Sequence, residues 1–78
     1  SPMLIRHHMN WRMKSLEKAS VLDKTDLMFT APLTYSHKDF EKIKTKITQL
    51  IQEVSATAQA SESETLVYFG VDCFTVKT

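Results

Sequence analysis

The residues best suited to chemistry are three histidines and one cysteine, and two of the histidines lie in a short mixed cluster. The segment RHHMNWRMK, residues 6–14, contains His7 and His8 together with the single tryptophan of the chain. The other two candidates, His37 and Cys73, lie far away in sequence. Imidazole and thiolate groups are ligands that zinc prefers, so a metal site is the first hypothesis.

The spacing of these residues argues against a metal ion. Successive positions on a helix point about 100° apart, so His7 and His8 cannot both bind one ion. The i, i+4 histidine spacing that allows a helix to chelate a metal is absent. We therefore expect no metal and no cofactor, and we interpret the histidines as residues at helix edges.

Enzyme chemistry is also not expected. A nucleophilic Cys73 would need a histidine and a carboxylate close to it. Asp72 is its neighbour in sequence, but in a strand the two side chains point to opposite faces. A chain with one glycine cannot form a glycine-rich phosphate loop. The prediction is a protein that is not an enzyme.

The bulk composition predicts a single small globular domain with a marginal core. The chain has 78 residues and a net charge of +1, which is too small an excess to indicate a nucleic acid or a membrane surface as direct partner. No apolar run is long enough to cross a membrane, and no leader opens the chain. One cysteine is typical of a reducing compartment, so we expect a cytoplasmic protein. The opening residues SPM favour a fragment of a longer protein.

A first helix is predicted from about Pro2 to Ser20, with Ser1 accepting a capping hydrogen bond. It is apolar on two faces. The face assigned to the domain's own core consists of Ile5, Met9, Met13 and Leu16. Leu4 and Trp11 point nearly the opposite way, and we predict that they contact a partner, because a tryptophan anchor often concentrates the energy of an interface.

A second helix is predicted to begin at Ser36. The segment SHKD, residues 36–39, resembles a capping box with aspartate in place of glutamate or glutamine. One apolar arc follows, made of Phe40, Ile43, Ile47, Leu50, Ile51, Val54 and Ala58. A helix with such an arc packs that face against the rest of its domain.

Two strands are predicted, at residues 27–35 and 66–76. The first alternates apolar residues and contains Pro32, which is typical of an edge strand. The second is rich in β-branched and aromatic residues, with Gly70 at a bulge or a point of close packing. The predicted fold class is therefore α+β, a small α-β-α-β domain with a βαβ unit. Because two strands are not stable alone, we expect a homodimer that completes the two-stranded sheet.

Asp72 lies between Val71 and Cys73 in this apolar segment, where an unpaired charge is costly. Arg12 lies at the edge of the core face of the first helix. We predict an ion pair between Arg12 and Asp72 as a structural tie, with anchoring of a ligand as the alternative role.

The competing functional hypothesis is a small-molecule effector site. In this version Tyr68, Asp72 and Phe74 line a pocket that the first helix closes. A filled core with a paired Asp72 would favour a dimerisation scaffold, and an apolar groove containing an unpaired Asp72 would favour ligand sensing. The sequence leaves both open.

Three short patterns resemble a known family. The first helix carries Arg6, His8 and Arg12; the junction before the second helix carries Thr30, Leu33, Thr34, Ser36 and Asp39; and the closing segment carries Tyr68, Asp72 and Phe74. Together they resemble a C-terminal domain-of-unknown-function family of bacterial two-part transcriptional regulators. Cys73 departs from the pattern, because an aromatic residue is common there in some relatives.

The resemblance implies a role for the whole chain. Residues 1–78 would form a single C-terminal dimerisation or regulatory domain. DNA would be bound only through a missing N-terminal domain that resembles a winged helix. The family supplies no catalytic or ligand-binding residue to transfer.

Overall fold

The computed structural model describes residues 1–77, and these form two compact units. The first unit contains Ser1–Ala31 and Tyr68–Gly70, and the second contains Pro32–Val67 and the residues from Val71 onward. Thr78, the last residue of the predicted domain, lies outside the described residues.

The first unit is built on helix α1, Pro2–Lys18, which continues as a 310 turn at Ala19–Val21. Proline suits the first helical position because its missing N–H would have no partner there. The backbone carbonyl of Ser1 accepts from the amide of Ile5 at 3.1 Å, but the Ser1 side chain makes no capping hydrogen bond. The helix is thus confirmed, and the capping role of the Ser1 hydroxyl is wrong.

A polar turn at residues 23–26 follows α1. The Asp23 carboxylate accepts from the hydroxyl of Thr25 at 2.6 Å and from its amide at 2.8 Å. These two hydrogen bonds hold the pKa of Asp23 below its usual value of 3.8. Asp26 accepts from the amide of Asp23 at 3.0 Å and pairs with Lys18 Nζ at 3.4 Å. The turn is therefore closed on itself and tied to the end of α1.

The second unit is built on helix α2, His37–Ala60. Ser36 is its N-cap, and the Ser36 hydroxyl accepts from the amide of Asp39 at 3.1 Å, which confirms the predicted start. Asp39 adds a negative charge to the first turn, where the helix dipole favours it. The helix ends without a glycine, and the chain leaves it at Ser61 in an extended conformation.

The apolar face of α2 is partly covered. Its least exposed residues are Phe40, Ile43, Ile47 and Val54, which are half-buried and follow the predicted arc. At the edge of this arc, Lys44 pairs with Glu41 at 2.7 Å and lies over the Phe40 ring at 4.9 Å. The least exposed residues of α2 therefore all belong to the predicted apolar arc.

The α+β fold class is wrong. Among residues 1–77 the secondary structure consists of α1, the 310 turn and α2, and neither residues 27–35 nor residues 66–76 form a strand. The predicted βαβ unit, and the sheet completed by a second copy, have no basis without those strands. Side-chain pattern predicted the strands, but a strand exists only where its backbone finds a ladder partner.

A conventional hydrophobic core is also missing, since no described residue in either unit is buried. Met9 and Met13, which were assigned to the core, are 60% and 57% exposed, so that assignment is wrong.

Candidate functional site

The two faces of α1 differ in how much of them the first unit covers. We call the row of Ile5, Met9, Met13 and Leu16 the methionine stripe. Ile5 and Leu16, at its ends, are 60% and 72% exposed, and every member is more than half exposed. A shallow depression open to solvent runs along the N-terminal half of the stripe, lined by Pro2, Ile5, Arg6, Met9 and Asn10. The stripe is an apolar surface that its own unit leaves open.

The opposite face of α1 carries an aromatic stack. The rings of Trp11 and Tyr68 lie nearly parallel, 9° apart, with centroids at 5.5 Å. Aromatic rings prefer offset stacking over this distance range. The stack attaches the short segment Tyr68–Gly70 to a helix that lies 57 residues earlier in the sequence.

Gly70 is necessary for this arrangement. A Cβ atom at Gly70 would lie 2.6 Å from Cζ of the Tyr68 ring and would collide with its hydroxyl. Of the two roles predicted for Gly70, close packing is therefore confirmed. Any larger residue would force the Tyr68 ring to move.

The stack falls on the part of α1 with the least exposed residues. Trp11, Arg12 and Ser15 are half-buried, whereas the other residues of α1 are exposed. The guanidinium Nη1 of Arg12 donates to the carbonyl of His8 at 3.2 Å, which directs the side chain back along its own helix. Arg12 and Asp72 belong to different units, so their ion pair stays a prediction.

The other predicted site residues are placed as follows. Leu4 is 54% exposed, so its side chain is accessible to a partner. Tyr68 belongs to the first unit and Asp72 and Phe74 to the second, with Phe74 75% exposed. The effector pocket and the partner role of Leu4 and Trp11 stay predictions.

Sequence reasoning missed the link between Trp11 and Tyr68. Trp11 was assigned to a partner and Tyr68 to a pocket, yet the two rings face each other. No spacing rule connects residues so far apart. The only usable signal was Gly70, since a single glycine beside an aromatic residue indicates a close approach.

The candidate metal and nucleophile residues do not come together. The His7 and His8 rings meet edge to face, with centroids at 5.7 Å. His37 is the first residue of α2, and Cys73 is exposed. Within residues 1–77 no group of three or more histidine, cysteine or acidic side chains is arranged to hold a metal ion. Neither helix of that range is long and apolar enough to cross a membrane.

Comparison with known proteins gives one match. The family model described as "Domain of unknown function (DUF4423)" matches residues 1–76. No curated protein matches the chain, and no solved structure matches it either. The match covers both helices and the segment that carries the aromatic stack.

Proposed function

We propose that this chain, which belongs to the DUF4423 family of domains of unknown function, is a non-enzymatic dimerisation or regulatory module of a larger bacterial DNA-binding regulator. Its own task in that protein is to hold two copies together. DNA binding is left to another part of the polypeptide, in line with the resemblance described above and with a net charge of only +1.

The filled core that would have favoured a dimerisation scaffold is absent from the described range 1–77. The observation that carries this proposal is instead the exposed apolar surface. Large hydrophobic side chains are exposed on α1 and along the extended segments; examples are Met3, Leu27, Phe29, Leu66 and Phe74, each at least 75% exposed. Monomeric proteins rarely expose apolar patches of more than a few hundred Å². Such a surface therefore requires cover.

A second copy would supply the missing cover. Obligate homodimer interfaces resemble a domain core cut in half. Such an interface would provide the core that is absent among residues 1–77 of one chain.

The test is the mass of the particle in solution. Sedimentation equilibrium or light scattering over a wide concentration range should give twice the chain mass of 9.0 kDa. A particle of 9.0 kDa at every concentration, with the helical content of α1 and α2 retained, would reject dimerisation.

A further inference from the structure

We propose that the methionine stripe is the surface that binds the second copy, with α1 of one chain antiparallel to α1 of the other. This inference rests on the proposed homodimer and specifies its contact. It differs from the predicted contact through Leu4 and Trp11, which lies on the opposite face of α1.

The two faces of α1 differ in whether another side chain of the first unit covers them. The Trp11 face already has an intrachain neighbour, because Tyr68 stacks on it at 5.5 Å. The methionine stripe has no such cover, and Met9 and Met13 at its centre are 60% and 57% exposed. Methionine side chains are unbranched and adapt to irregular surfaces. On the opposite face only Trp11 is covered, since Leu4 is 54% exposed, whereas every member of the stripe is more than half exposed.

The spacing of the stripe suits an antiparallel pair of identical helices. If Met9 of one copy lies opposite Met13 of the other, Ile5 lies next to Leu16 of the other copy, and both contacts are repeated by the two-fold axis. Identical helices that pack in this way form an isologous interface, which closes at two copies. The stripe is thus complementary to itself.

Charges at one edge of the stripe support the same register. Arg6 and Glu17 lie on the same side of α1, eleven residues apart. Neither side chain forms an ion pair with another residue of the described range 1–77. In the antiparallel register Arg6 of each copy lies beside Glu17 of the other, which gives two symmetric ion pairs. Rim charges of this kind select register and partner.

The other edge of the stripe carries Arg12, and the two-fold axis brings the two copies of this residue near each other. The cost is limited because the Arg12 side chain is directed back toward the carbonyl of His8 at 3.2 Å. Added salt should screen this repulsion together with the rim attraction. The apolar stripe, rather than charge, must therefore supply most of the affinity.

The first experiment places a charge on each face in turn. Met9→Lys should raise the dimer dissociation constant by roughly tenfold or more, because a lysine at the centre of the stripe would be desolvated. Leu4→Lys is the matched control, since Leu4 is 54% exposed on the other face. Circular dichroism checks that both variants keep their helices. A dimer that resists Met9→Lys but dissociates with Leu4→Lys would overturn the assignment of the stripe.

The second experiment tests the register by charge reversal. Arg6→Glu and Glu17→Arg should each weaken the dimer, and the double variant should recover the affinity of the original chain. If the loss of binding free energy in the double variant equals the sum of the losses in the two single variants, the antiparallel register is wrong. A wild-type chain that is monomeric would instead reject the proposed function itself, so the two failures are distinguishable.

Discussion

The stack of Trp11 on Tyr68 can be tested at a single residue, because Trp11 is the only tryptophan and therefore the only indole fluorophore. Tyr68→Ala removes the ring that lies 5.5 Å from it. The indole should become more exposed, and its emission should shift to the red. The free energy of unfolding should fall by about 0.5–1.5 kcal/mol in addition to the loss caused by the smaller buried area. Emission spectra and denaturation curves measure both effects.

Two further variants sharpen this prediction. Gly70→Ala should shift the Trp11 emission in the same direction, because the new methyl group displaces the Tyr68 ring. Phe69→Ala removes a neighbouring aromatic ring that makes no stack with Trp11, and it should leave the emission unchanged. An equal response to Tyr68→Ala and Phe69→Ala would contradict the stack.

The turn after α1 gives a prediction about pH. The Thr25 hydroxyl and then the Thr25 amide lower the pKa of Asp23 below 3.8. The ionised carboxylate therefore stabilises the turn fully above pH 3.8, and this contribution is lost as pH falls through the lower pKa of the folded state. In a carboxyl titration by NMR, Thr25→Val should move the pKa of Asp23 back toward 3.8, while Thr45→Val, in α2, should not. An Asp23 pKa that does not respond to Thr25→Val would contradict the hydrogen bond.

At the scale of elements, the start of α2 is the best-defined feature of the second unit. Ser36→Ala removes the acceptor of the Asp39 amide and should destabilise α2 by about 1 kcal/mol. Thermal denaturation followed by circular dichroism measures the loss. Ser55→Ala is the matched control, because Ser55 is exposed in the interior of α2 and alanine is the better helix former. A loss with Ser55→Ala as large as that with Ser36→Ala would show that the cap is not the cause.

Both helices were predictable because their determinants are local. A capping serine, a proline at the first turn and an apolar period of 3.6 residues act within a few positions. Residues 66–76 carry an equally clear strand pattern, yet they form no strand. Strand formation depends on a second segment at hydrogen-bonding distance, and the alternation of side chains does not specify that segment.

The candidate site was predictable only in part for the same reason. Periodicity correctly separated the methionine stripe from the Trp11 face, since helical geometry fixes which residues share a face. It could not say which face the chain itself would cover. That depended on Tyr68 reaching Trp11, a long-range contact, so the face assigned to the core is the exposed one.

For the whole molecule, stability should depend on concentration. No residue of the described range 1–77 is buried in a single chain, and in the proposed dimer the association of two folded copies would add to the stability of each. A tenfold rise in protein concentration changes the free energy of association by about 1.4 kcal/mol, which should raise the Tm of the dimer by several degrees. Calorimetry or circular dichroism at matched heating rates measures this shift. Met9→Lys supplies the control, because a chain that cannot associate should melt at a lower temperature that does not change with concentration. A wild-type Tm that is constant over two decades of concentration would mean that one chain is stable alone, and its exposed apolar surface would then need a different explanation.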